Sequence, residues 1–208
     1  MKNTIKTNII IAAILLLSQL TFAQMNWKTV KAKNGITIYQ RVNDNAKNKS
    51  SKITFTVNYT KEEVAAFITN FDNYKNWTSN CTKSKLIKKV DANTWISYSV
   101  YSAPFIKDRE LYAKTTQQIV NLNTYKIHIE AYPQYAPVNE KFVRLNYFYC
   151  DYTITQINKS QTAITVETAT DMGGNLSASM VDKFSVNSLL NTFCDFRSQL
   201  DSQYIASK

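Results

Sequence analysis

Apolar and polar residues alternate at every second position over much of the chain between residues 36 and 170, the period of strands with one face in a core. Ile36, Ile38 and Gln40 alternate with Thr37, Tyr39 and Arg41, and Gly35 turns the chain into this strand. The polar stretch 43–50, NDNAKNKS, separates it from a second strand over 52–57, and the two suit a hairpin. The period then changes. Thr60 and Glu63 form a capping box ahead of Val64, Phe67, Ile68 and Phe71, which predicts a short amphipathic helix ending near Asp72-Asn73. Strand patterning resumes over 83–90, 94–102, 109–119, 125–131, 141–157 and 162–170. The links between these segments are too short for parallel crossovers and predict an antiparallel meander.

The final segment, 175–204, lacks proline and glycine, follows Gly173-Gly174 and carries apolar residues from Leu176 to Leu200 at helical spacing. It reads as one long amphipathic helix, with a bend or loosening expected at the weak helix formers Ser185-Val186-Asn187-Ser188. The fold class is therefore α+β: a curved antiparallel sheet covered by a long C-terminal helix, with a short helix after the first two strands.

Two strands within the meander stand out. Trp95, Ser97, Ser99 and Tyr101 share one face of the first, and Arg109, Leu111, Ala113 and Thr115 share one face of the second. One of these faces should line an interior. Arg109 then has two readings, a solvated strand end beside Asp108 and Glu110 or a polar anchor inside a cavity.

Composition adds bounds. The chain has 208 residues, 44% of them hydrophobic, which suits one domain with a real core and excludes disorder. Lys2 and Lys6 precede the apolar run 9–17, and Thr21-Phe22-Ala23 suits a signal peptidase, so residues 1–23 read as a signal peptide cleaved before Gln24. The expected product is a periplasmic or secreted domain over 24–208, and a monomer. Retention of the leader as a membrane anchor is the alternative, although the run is short for a span. The formal net charge of +10 favours anionic surfaces. For an exported protein, transient contact with an anionic membrane is a better expectation than nucleic acid.

Catalytic motifs are scarce. Cys81, Cys150 and Cys194 are too widely spaced for a metal knuckle, with Cys150 and Cys194 read as buried small hydrophobes and Cys81 as the thiol most exposed. His128, the one histidine, shares a strand face with Lys126 and Glu130 and is expected to face solvent. Phosphate loops, HExxH spacing and a nucleophile elbow are missing from the sequence, and Asp171 before two glycines suits a helix-entry turn better than a cation loop. No cofactor or metal is expected. The 13 tyrosines and 10 phenylalanines, interleaved with serines and threonines on strands, suit an apolar pocket with a few polar contacts.

Several fragments, in order, resemble the START lipid-binding domains, especially small exported bacterial members. They are Trp27 with Gly35-Ile36 and Tyr39-Gln40-Arg41; Phe71-Asp72-Asn73-Tyr74 with Trp77; Ala103-Pro104-Phe105-Ile106-Lys107-Asp108-Arg109-Glu110; and Asp171-Met172-Gly173-Gly174. The resemblance implies a helix-grip fold with a tunnel for a lipid or other hydrophobic molecule between sheet and helix. Arg109 matches the family's cavity-facing arginine. Ser99 stands where some members carry an acid partner, which leaves Asp108, Glu110 or a ligand's anion to meet the charge. Met172 replaces a family proline, and 185–188 lacks the proline often found midway along the last helix. The resulting expectation is a non-enzymatic binding protein with Arg109, Ser97, Ser99, Tyr101, Leu111 and Ala113 in its site. The alternatives are a helix-grip enzyme of cyclase or hydrolase type using the same cavity, and a ligand-free envelope interaction protein.

Overall fold

The computed structural model describes residues 27–41, 49–104, 106–174 and 178–205, so the expected leader lies outside the described residues. Asn34 and Gly35 both take positive φ, 54° and 70°, and turn strand β1 (Lys28–Lys33) antiparallel onto β2 (Ile36–Arg41). β1 is lysine-rich, and Val30 and Ala32 on it stay exposed, so it adds no apolar face to the core. β2 pairs with β3 (Ser50–Val57), as the alternation predicts.

Helix α1 (Lys61–Ile68) starts on the capping box, with Thr60 N–H donating to Glu63 Oε2 at 2.8 Å and Glu63 N–H to Thr60 Oγ1 at 3.2 Å. It stops earlier than expected. The Thr69 hydroxyl donates to the Ala65 carbonyl at 2.9 Å, and the chain then tightens into a 3-10 turn over Phe71–Asn76. Phe71 is buried on that turn rather than on the helix.

This crossover delivers the chain to the far edge of the sheet. From there β4 (Cys81–Lys89), β5 (Thr94–Tyr101), β6 (Arg109–Asn121) and β7 (Thr124–Ala131) run as an antiparallel meander. The strand expected over 141–157 divides in two. A short β8 (Val143–Arg144) pairs parallel with β6, because Arg144 turns to Glu110, and β9 (Tyr147–Asn158) then pairs with β7 and β10 (Gln161–Asp171). β10 also pairs with β3, which joins both halves in one sheet of order β1-β2-β3-β10-β9-β7-β6-β5-β4.

Helix α2 (Ala178–Ile205) covers the sheet, as the resemblance implied. It runs unbroken through 185–188, where a bend was expected. Polar residues there reach neighbouring elements: Lys31 Nζ donates to Asn187 Oδ1 at 2.7 Å and Asn80 Nδ2 to Ser188 Oγ at 3.3 Å. Farther along, the fully buried Phe196 meets the rings of Phe67 at 4.9 Å, Trp77 at 5.2 Å and Phe55 at 5.7 Å. Burying a side chain of this size stabilises by about 1.5–3 kcal/mol, so this cluster anchors α2 on the sheet and α1.

Candidate functional site

Strand register builds the candidate site. On β5 and β6, Trp95, Ser97, Ser99 and Tyr101 stand directly opposite Thr115, Ala113, Leu111 and Arg109. These rows share one face, and Leu111 and Ala113 place that face in the core beneath α2. The six residues singled out by sequence are therefore brought together on the inner face. Ser97, Ser99, Arg109, Leu111 and Ala113 are buried there, and Tyr101 is half-buried.

Arg109 is not a solvated strand end. Its Nε donates to the Met172 carbonyl at 3.3 Å and its Nη1 to the Lys107 carbonyl, so it ties the β5–β6 loop to the turn before α2. Burial lowers its pKa, and the nearby charge of Asp108 opposes part of that. Among the described residues no carboxylate comes within ion-pair distance of it. Glu110 is excluded as a partner because it points through the other face, where its Oε1 accepts from Arg144 Nη2 at 2.7 Å and Nε at 2.9 Å. The turn at Met172 depends on Gly173 and Gly174, with φ of 63° and 70°. Gly173 N–H donates to Asp171 Oδ1 at 2.9 Å, which makes Asp171 part of the turn, as its sequence context suggested.

Other inner-face residues escaped the sequence reading. Gln40 and Ser51 are opposed across β2 and β3, with Gln40 Nε2 donating to Ser51 Oγ at 3.4 Å in a buried pair. Thr168 stands next to Ser51, and Cys150 opposite Thr168. Gln40 was legible in principle, because it continues the parity of Ile36 and Ile38. Cys81 corrects an expectation: it is buried rather than exposed, because β4 begins at Cys81, two residues before the expected start, and sets it opposite Tyr101. Cys150 is buried as expected, and Cys194 is half-buried beside Asn34 Nδ2 at 3.7 Å.

Apart from the Arg109 guanidinium, the inner groups whose pKa burial shifts are uncharged near pH 7. Desolvation pushes the Cys81 thiol up to about 11 and the Cys150 thiol up to about 12. The same burial raises Tyr74, Tyr101 and Tyr152, so these groups stay neutral near pH 7. Among the described residues the buried Thr115 hydroxyl on this face finds no hydrogen-bond partner. Beneath the C-terminal half of α2 the interior differs, being closed by Leu190, Phe193, Phe196 and Leu200, each at most 6% exposed. Toward Arg109, Tyr101, Ala131, Phe148, Val186 and Leu189 are partly buried, as Trp95, Tyr125 and Tyr204 are at the opposite end.

His128 lies on the outer face, as its strand parity predicted, with Nδ1 at 2.5 Å from Asp151 Oδ1 and Nε2 at 3.6 Å from Glu130 Oε2. Among the described residues no three His, Cys, Asp or Glu side chains converge as metal ligands do, and no helix is long and apolar enough to cross a membrane. A cleft of about 480 Å³ lies beside the candidate site and shares Cys81 with it, between the turn carrying Trp77 to Cys81 and Asn191, Cys194 and Asp195 of α2.

No protein-family model matches the chain. Over 98% of its length it is 21% identical to an uncharacterized protein of Pseudomonas aeruginosa, PA1579, all of which is covered. Among solved structures it is similar to a STAR-related lipid transfer protein from Xanthomonas axonopodis, with a TM-score of 0.78 and 19% identity over 84% of this chain and 98% of that one. Human StAR-related lipid transfer protein 5 aligns with a TM-score of 0.76 and 17% identity over 96% of this chain and 99% of that one. These likenesses establish the architecture: the chain has the helix-grip fold of START domains.

Proposed function

We propose that the protein is a non-enzymatic carrier that holds one lipid or other hydrophobic small molecule between the inner face of the sheet and α2. The observation that carries this reading is the mixed lining of the inner face near Arg109. There, half-buried apolar side chains stand with buried Ser97, Ser99, Gln40 and Ser51, while Phe193, Phe196 and Leu200 pack α2 onto the sheet farther along. A bound hydrocarbon chain would gain about 0.8 kcal/mol per buried methylene, and the hydroxyls and Arg109 would orient its polar end. Support also comes from the structural relatives, whose names record lipid transfer. The neutral inner groups favour binding over catalysis, since a general acid or base needs a proton that moves near the working pH. Export after cleavage at Ala23-Gln24 completes the proposal and is checked by N-terminal sequencing of the protein from its host.

Arg109 carries the specificity claim. Among the described residues it has no ion-pair partner, so its charge is available to a ligand's anion, a charge-assisted contact of about 1.5–3 kcal/mol. Arg109→Leu should weaken a fatty-acid anion by about tenfold or more and leave the corresponding neutral alcohol within about threefold. Equal losses for both would make Arg109 a clamp between loops and remove it from the binding site.

A further inference from the structure

The end of the sheet remote from Arg109 is built from three hairpin tips. Gln117 N–H donates to the Asn93 carbonyl at 2.9 Å, linking the β6–β7 hairpin to the β4–β5 tip, and Gln156 N–H donates to the Asn123 carbonyl at 2.8 Å, linking β9 to the β6–β7 tip. Each tip is turned by its own polar residue. Asp91 Oδ1 accepts from Asn93 N–H at 2.8 Å, Asn121 Oδ1 from Asn123 N–H at 2.9 Å and Asn158 Oδ1 from Ser160 N–H at 3.1 Å. The turns therefore need no apolar side chains. Yet Leu122 is 92% exposed and Ile119 67%, with Ile157, Val90 and Val120 each near half. These exposed apolar side chains lie on three linked tips at one end of the sheet, where a contacting surface would cover them.

Charge indicates what they contact. Lys88, Lys89, Lys126 and Lys159 flank the tips and are exposed, against Asp91 among them, while the nearby Glu62 is paired with Lys61 at 2.5 Å. Exposed apolar side chains on tips whose turn amides are already bonded, rimmed by lysines, match an interface of acidic headgroups over hydrocarbon. We propose that this end docks on an anionic lipid bilayer, with Leu122, Ile119 and Ile157 entering the headgroup region and the lysines meeting lipid phosphates. Ten residues of β6 separate Ile119 from Arg109, about 33 Å at strand rise. Docking would therefore tether the protein with its Arg109 end directed away from the membrane. This surface is independent of whether the interior holds a ligand.

The test places a reporter on the tip itself. Leu122→Trp in the full chain is titrated with vesicles of phosphatidylcholine, with and without 30% phosphatidylglycerol, carrying bromine on the acyl chains. Quenching with the anionic vesicles, weakened about tenfold or more by Lys88→Glu with Lys89→Glu and by raised salt, supports the proposal. It is overturned by absence of quenching with anionic vesicles, by equal quenching in neutral ones, or by a lipid-free dimer that Leu122→Asp dissociates, which would assign the tips to a second copy of the chain.

Discussion

Arg109 and Glu110 are neighbours in sequence and point through opposite faces of β6. Arg109 reaches the carbonyls of Lys107 and Met172 at the inner edge, while Glu110 pairs with Arg144 at 2.7 Å on the outer side. Arg144 is itself held by the carbonyls of Pro133 at 2.5 Å, Ala136 at 3.0 Å and Pro137 at 2.9 Å. Glu110 also accepts from the Tyr98 hydroxyl at 3.2 Å, and the Tyr112 ring lies 4.8 Å from the Arg144 guanidinium. Two arginines thus fasten the loops at this end, one on each face of β6.

The Glu110–Arg144 pair is buried on both sides, with side-chain exposures of 2% and 5%. Removing one partner strands the other's charge. Arg144→Met should therefore lower unfolding stability by about 3–5 kcal/mol in urea melts, and adding Glu110→Leu should recover a substantial part of that loss. A double variant less stable than Arg144→Met would show that the pair's shape, not its stranded charge, governs the effect.

Alkaline pH tests the burial of the inner face. The thiols of Cys81 and Cys150 rise from 9.0 to about 11 and about 12, so the folded state keeps protons that the unfolded chain releases. Stability from these groups is fully present below pH 9 and is lost as pH rises toward the folded values, at about 1.4 kcal/mol per pH unit for each thiol. Urea midpoints measured between pH 7 and 11 should stay level to about pH 9 and then fall. In Cys81→Ala with Cys150→Ala the fall should begin nearer pH 10, where the raised tyrosines take over. A wild-type midpoint unchanged to pH 11 would mean that water reaches both thiols.

Much of this was legible because period-2 alternation records which strand face is buried. It grouped Leu111 and Ala113 on one face with Arg109, which the structure buries, and it set His128 outward. The capping box of Thr60 and Glu63 located α1 for a similarly local reason. What escaped depends on long-range pairing. β1 buries no apolar face, β8 rests on Arg144 pairing with Glu110 34 positions away, and Cys81 is buried because β4 starts opposite Tyr101. The placement of Gln40 and Ser51 near Thr168 likewise depends on β3 pairing with β10, a contact between distant parts of the sequence.

The central claim is tested most directly by native mass spectrometry of the protein purified from its own host, with an aliquot denatured and its released molecules identified. A one-to-one complex with a hydrophobic molecule that dissociates on unfolding is the predicted result. A bare protein mass that stays unchanged after incubation with fatty acids, phospholipids and sterols would contradict it.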